Sequence, residues 1–313
     1  MKETPAMPAL DAADQEILLG LFSRWEQLAE SVQSLPPVSP LVVRLLRLDR
    51  DSPRAVDEVS AIVESDPILT ARILGLANSA VQPSAGRNIS DVKAAILRLG
   101  LGEACDEIFA RVFGLWLREQ SRVPDDELLD TLWLESLVTG FTAREIALAV
   151  KDQAVDPSFA YAAGMLHDVG TLALCWTEPR AMGRLVAAGY APGTEIHTRF
   201  LEAHARLGAN LLQRWNAPAE FVAAARGHHE RLERQPSAVM AVLHMADHLQ
   251  EAVAGHPGWT TPRSARYPLG CDGPATEQVS AALSALGLGD RLQDIIDQVV
   301  SQGERITALS RAG

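Results

Sequence analysis

The sequence has too few cysteines for a covalently stapled fold. Its 313 residues include only Cys105, Cys175 and Cys271, far apart and in no Cys-x-x-Cys pair, so a disulfide framework is excluded and the thiols read as buried groups of a reducing compartment. No apolar run approaches the length of a membrane span. The opening MKETPAMPALDAADQ lacks a charged segment followed by an apolar one, so a cytoplasmic location is expected. Basic residues are in deficit, 28 Lys and Arg against 40 Asp and Glu, for a formal charge of −12. That balance argues against general nucleic-acid binding and against anionic membrane surfaces, both of which need a basic face. No GxxxxGK[ST] or GxGxxG element is present, so a phosphate-cradling loop is unsupported. Aromatics make up 5 %, and no histidine precedes His167.

What is there is helical. A hydrophobic content of 47 %, rich in Ala and Leu, is ample for a core and favours helices, in which these residues lose little freedom. Leu10, Ile17, Leu18, Leu21, Phe22, Trp25 and Leu28 share one helical face over about residues 10–33. The Ser34-Leu35-Pro36-Pro37 run breaks that helix, and Ser39-Pro40, Asp66-Pro67 and Asp156-Pro157 each pair a cap residue with proline at the first helical position. Ser90 is expected to cap the helix that ends at Gly100. No alternating β-branched run of convincing length appears, so the chain is expected to be all-α. Four stretches follow from composition: a flank over 1–34, a histidine-free helical half over 35–122, a histidine-bearing helical domain over 123–254, and an irregular loop with C-terminal helices over 255–313.

All eight histidines fall between His167 and His256. The sharpest local feature is the run Gly164-Met165-Leu166-His167-Asp168-Val169-Gly170, where an apolar helix meets a His-Asp pair and Gly170 is placed to end or kink it. His204, the pair His228-His229, and Asp247 lie in separate apolar-striped helices. Any one of these histidines is best read as a core group satisfied by a carboxylate or a helix end. Four helices delivering them to one cleft would be a metal-site design, and imidazole with carboxylate suits Fe, Mn, Zn or Ni. His244 and His248, four apart, read as a half-exposed pair beside the core stripe, and His197 and His256 have no evident partners. Arg44, Arg47, Arg50 and Arg54 are interleaved with Asp49, Asp51 and Asp57, a solvated mixed-charge face rather than a nucleic-acid patch. Asn78 ends a helix, as a left-handed cap or by bonding free carbonyls.

His167-Asp168, His204, His228-His229 and Asp247, in that order, resemble the HD phosphohydrolase superfamily. LPPVSPLVVRLLRL, ESDPILTARILGLANSA and ISDVKAAILRLG narrow the resemblance to the HDOD family, the HD-related output domain of bacterial signalling proteins, from about Leu35 to Leu249. The resemblance implies an N-terminal helical subdomain packed on an HD-like helical bundle, and signalling proteins as partners acting in trans. It also implies a divalent metal on His167, Asp168, His204, His228, His229 and Asp247. Hydrolytic relatives begin their metal site with a histidine on the preceding helix, a position that falls on Glu135 here, and Asp168 is the residue that would assist a nucleophile. The cyclic-di-GMP phosphodiesterase branch follows its HD-x-G with a phosphate-contacting lysine, where this chain has Thr171, and carries a Gly-Tyr-Pro signature that is absent here. The expectation is therefore a regulatory module with a degenerate, metal-capable cleft. The alternative is a metal-dependent phosphodiesterase with an altered first ligand. The loop over Gly255–Pro274, with Trp259 and Tyr267, and the first helix with Trp25 are candidate contact surfaces.

Overall fold

A computed structural model of the chain describes residues 10–25, 27–28, 37–79, 89–120, 126–150, 155–188, 194–230, 237–261 and 276–311. Caps set most helix starts. Asp11 accepts the Asp14 amide to open α1 (Ala12–Ser23), and Ser39 accepts the Leu41 amide to open α2 (Pro40–Leu46). α3 (Ala55–Glu64) leads into Asp66, whose carboxylate takes the Ile68 and Leu69 amides at the head of α4 (Pro67–Ser79). α5 (Val92–Leu99) is capped by Asp91 rather than Ser90, the Asp91 carboxylate lying 2.7 Å from the Ala94 amide. It stops at Gly100, whose φ of 91° is one that side chains disfavour. The single first helix expected from periodicity is interrupted. Arg24 leaves helical geometry after Ser23 and its amide bonds back to the carbonyls of Leu21 and Phe22. The proposed break at Ser34–Pro36 lies outside the described residues.

Two long struts follow, α6 (Leu101–Gln120) and α7 (Asp126–Ala149). Then come α8 (Pro157–Leu166), α9 (Val169–Thr177), α10 (Pro179–Ala188), α11 (Glu195–Arg214), α12 (Ala219–Gly227), α13 (Ala238–His248) and α14 (Gln250–Gly255). α15 (Thr276–Leu286), α16 (Leu292–Ser301) and α17 (Gly303–Ser310) complete the order. No strand occurs among the described residues, and the fold is all-α.

The N-terminal helices α2–α6 pack on the bundle of α7–α14 through aromatic and polar contacts. Trp116 on α6 meets Trp215 at the end of α11 edge-on, with centroids 5.0 Å apart. Arg47 donates to the carbonyl of Asn216, and Arg50 reaches towards the buried Asp106, so the expected mixed-charge face is partly an internal joint. Asn78 is a staple rather than a left-handed cap. Its amide donates to the carbonyls of Leu74 and Ile89, and its oxygen accepts the Ile89 amide. Trp25 packs partly buried under the Arg206 guanidinium, 4.4 Å from the ring centre. α15 packs on α13, while α16 and α17 lie along α7, and Trp133 and Arg118 donate to the carbonyls of Leu309 and Ser310. Cys105 and Cys175 are buried free thiols, while Cys271 and Tyr267 lie outside the described residues.

Candidate metal centre

His167 and Asp168 occupy the joint between two helices. His167 closes α8 and Asp168 precedes α9, with φ −103° and ψ 17° at Asp168. Gly170 therefore does not end a helix. It sits in the first turn of α9, where a Cβ would lie 1.9 Å from the carbonyl oxygen of His204 and 2.6 Å from the Gly208 amide nitrogen. α9 and α11 thus cross backbone to backbone, and that crossing delivers His204 to Asp168. A second crossing, Gly140 of α7 against Gly164 of α8, sets the approach of the His167 end.

The six residues from His167 to Asp247 form one connected group. His204 Nε2 lies 3.1 Å from Asp168 Oδ1, 3.0 Å from His228 Nε2 and 2.8 Å from His229 Nε2. His167 Nε2 lies 3.4 Å from Asp247 Oδ1, and its ring stands edge-on to that of His228 with centroids 5.0 Å apart. His204, His228 and His229 are the one set of three His, Cys, Asp or Glu among the described residues whose ligand atoms all lie within 4.8 Å of one another. Glu135, on α7, is half-buried and not in that triad; its charge and that of Asp168 both bear on the buried Cys175 thiol.

Hydrogen bonds to the outer ring nitrogens fix the tautomers. His167, His204 and His228 turn Nδ1 to the carbonyls of Gly164, Phe200 and Ala225 at 2.7, 2.8 and 2.8 Å. A carbonyl only accepts, so each Nδ1 carries a proton and each Nε2 is turned into the cleft, where the ring in its neutral form offers a lone pair. The Nε2 atoms of His204 and His228 face each other at 3.0 Å. Burial and the neighbouring charges of His167 and His204 hold His228 well below the usual imidazole range, which keeps its own Nε2 an acceptor. Burial and the charges of His228 and His204 do the same to His229. This donor set fits a divalent transition metal better than it fits a hydrogen-bonded core.

Burial alone would lower His167, yet its hydrogen bond and charge interaction with Asp247 prevail and bring it up to about 9. Asp247 is correspondingly held below the carboxylate range, against its own burial. The pair is an imidazolium–carboxylate contact. Asp168 is pushed up by burial and held partly back by His204 and His167. Thr171, standing where the related phosphodiesterases place lysine, donates its hydroxyl to Asp168 Oδ1 at 2.8 Å. It positions the carboxylate and adds no cation.

Sequence reasoning missed several supporting groups. Gln250 donates to Thr139 Oγ1 at 2.6 Å and Asp247 Oδ1 at 3.1 Å, a spacing of i+3 from Asp247 being the available signal. His244, expected half-exposed, is buried, and its Nδ1 lies 3.2 Å from the His228 carbonyl. His248 stacks on His244 and turns Nδ1 to its carbonyl. His256 has a partner after all, Asp297 at 3.2 Å.

The sequence profile of the HDOD domain matches residues 35–231. An uncharacterized protein from Treponema pallidum (strain Nichols) is 26 % identical over 206 residues, 64 % of this chain but 39 % of that protein's length. Among solved structures, a candidate signal transduction protein from Marinobacter aquaeolei VT8 superposes with a TM-score of 0.66 at 24 % identity, over 96 % of this chain and 66 % of its own. An HDOD domain protein of unknown function from Geobacter sulfurreducens does so with a TM-score of 0.62 at 23 % identity, over 92 % and 97 %. With the profile covering more than half of its residues, and the fold shared across nearly all of it, this chain belongs to the HDOD domain family.

Proposed function

We propose that the chain is a regulatory signalling module whose HD-like cleft holds a divalent transition metal without turning over phosphodiesters, and whose output passes through contacts with other signalling proteins. The observation that carries this reading is the convergence of the His204, His228 and His229 Nε2 atoms, at 3.0 and 2.8 Å from His204, with Nδ1 of His204 and His228 turned to backbone carbonyls. His167, Asp168, His204, His228, His229 and Asp247 would hold the ion. When bound, it would supply Lewis acidity in the cleft. The chain's own groups orient and neutralise: Thr171 and Gln250 pin Asp168 and Asp247, and position 171 itself adds no cation to oppose charge on a phosphate. The likeness to the Marinobacter protein supports the signalling half of the reading.

Elemental analysis of protein purified without chelator tests it directly. About one Fe, Mn, Zn or Ni per chain is expected, lost in His204→Ala. Metal-loaded protein is expected to leave cyclic dinucleotides, nucleotides and aryl phosphodiesters intact. Absence of stoichiometric metal removes the first part of the reading, and turnover of any of these substrates removes the second.

A second reading, a phosphodiesterase with Glu135 in place of the first histidine, is favoured by one feature. Asp168 is a quarter exposed at the cleft while the histidines beside it are buried, the arrangement that a reacting carboxylate would need.

A further inference from the structure

The flank ahead of the matched profile bears on the metal centre. α1 lies wholly before residue 35, where the HDOD match begins, and supplies none of the six residues from His167 to Asp247. It is nevertheless tied down at both ends. Arg184 of α10 pairs with Asp11 and Asp14 at its head, at 2.5 and 2.6 Å. Trp25, just past its last turn, lies against Arg206 of α11. Between these ends Leu18, Leu21 and Phe22 are buried.

Phe22 meets Phe200 of α11 edge-on, with ring centroids 6.3 Å apart. Phe200 in turn holds His204 in two ways. Its ring packs against the imidazole, with centroids 4.5 Å apart, and its carbonyl takes the Nδ1 proton at 2.8 Å. The two contacts decide different things. The carbonyl fixes which nitrogen is protonated, whereas the ring limits how far the imidazole can swing about its side-chain torsions. Phe22, Phe200 and His204 are all buried, and in so dense a packing one ring turns only where its neighbour gives way. The neighbour that α1 supplies is Phe22.

We propose that Phe22 is a positioning residue for the metal centre. Through Phe200 it holds His204 Nε2 beside Asp168, His228 and His229, so the docking of α1 sets the affinity for the ion. The proposal deepens the metal half of the reading above and rests on it. Phe22→Ala leaves a void beside the Phe200 ring, which turns into it and frees the imidazole. Part of the binding free energy then goes into ordering His204. A partner that lifts α1 weakens the site without touching a ligand, and by linkage the bound ion strengthens the docking of α1.

Zn²⁺ titration of the full chain against a chromophoric chelator is the test, with imidazole nitrogen NMR of metal-free protein as a readout that needs no ion. Phe22→Ala should raise the Zn²⁺ Kd about tenfold, the lower end for loss of an outer-shell partner. It should also shift or broaden the His204 imidazole signals and leave those of His256 in place. Phe200→Ala should weaken Zn²⁺ at least as much, and Phe22→Ala added to it should weaken it no further, because the path is already cut. Ile73→Ala, an equally buried deletion on α4, should leave Zn²⁺ affinity unchanged and controls for general loosening. Phe22→Leu keeps much of the apolar volume; it should fall between parent and Phe22→Ala, and it carries the test if Phe22→Ala does not fold. The proposal is overturned if the Phe22 variants bind Zn²⁺ as the parent does, if the Phe22 and Phe200 effects simply add, or if Ile73→Ala weakens Zn²⁺ as much as Phe22→Ala. If the parent binds no Zn²⁺, the metal reading falls and the His204 signals alone decide: moved by Phe22→Ala they uphold the positioning of His204, and unmoved they overturn it too.

Discussion

Gly170 lies directly against the carbonyl of His204. A Cβ at position 170 would sit 1.9 Å from that oxygen, so the α9–α11 crossing exists only because this residue has no side chain. Gly170→Ala forces the helices apart and moves His204 from Asp168, now 3.1 Å away. The expected cost is about 1–3 kcal/mol or more of folding stability, the range for an overpacked core. Metal content should fall with it. Urea denaturation with elemental analysis checks both, and Gly208→Ala, whose Cβ finds its nearest neighbour at 3.1 Å, should be milder.

Metal removal should lower the unfolding temperature. A ligand that binds only the folded state stabilises it by mass action, about 2.7 kcal/mol at a hundredfold excess over Kd. Protein treated with chelator should therefore melt several degrees lower in calorimetry, and Mn²⁺ or Zn²⁺ should restore the transition in parent protein but not in His228→Ala. An unchanged transition in the parent would contradict the metal reading.

Stability should fall as pH rises towards neutrality, through Asp106. Its folded pKa is about 7, raised by burial and by the charge of Glu103, and lowered by Arg50, Arg144 and Arg305; an unfolded aspartate titrates near 3.8. Between those values the native state holds a proton that the unfolded chain has lost. The contribution is complete below about pH 4 and gone above about pH 7. The difference between parent and Asp106→Asn unfolding free energies should show that slope.

Cys105 and Cys175 should resist alkylation in the native protein. Burial pushes the Cys105 thiol up to about 11 and Cys175 higher still, the latter also raised by Asp168 and Glu135. Since the thiolate is the nucleophile, iodoacetamide should modify both only in denaturant, as peptide mass spectrometry would show.

Asn78→Ala should cost about 1–3 kcal/mol, because it removes three hydrogen bonds and takes the side-chain partners from the part-buried amide and carbonyl of Ile89. Asn78→Asp keeps the acceptor for the Ile89 amide and should lose less. Chemical denaturation distinguishes the two.

Helix type and most helix starts were legible in the chain because capping and periodicity are local. Asp66-Pro67, Asp156-Pro157 and Gly100 act as their chemistry requires. Local rules failed by one residue at Asp91, where two capping residues stand side by side, and at Arg24, where one apolar stripe spans a helix break. The order of histidines and aspartates announced a site, and six of the seven named residues do meet in one connected group.

What the sequence alone determined is the all-α character and the inventory of ligand-type side chains, since both depend on residues near one another in the chain. Only the tertiary structure decided how that inventory is used. Two glycine crossings bring four helices to contact, carbonyls three or four residues before each histidine take its Nδ1 proton, and Glu135 stays outside the histidine triad. The buried Asp106 and Tyr161 belong to the same class of fact. Each is an ordinary helical residue until helices from opposite halves of the chain close over it and take its water away.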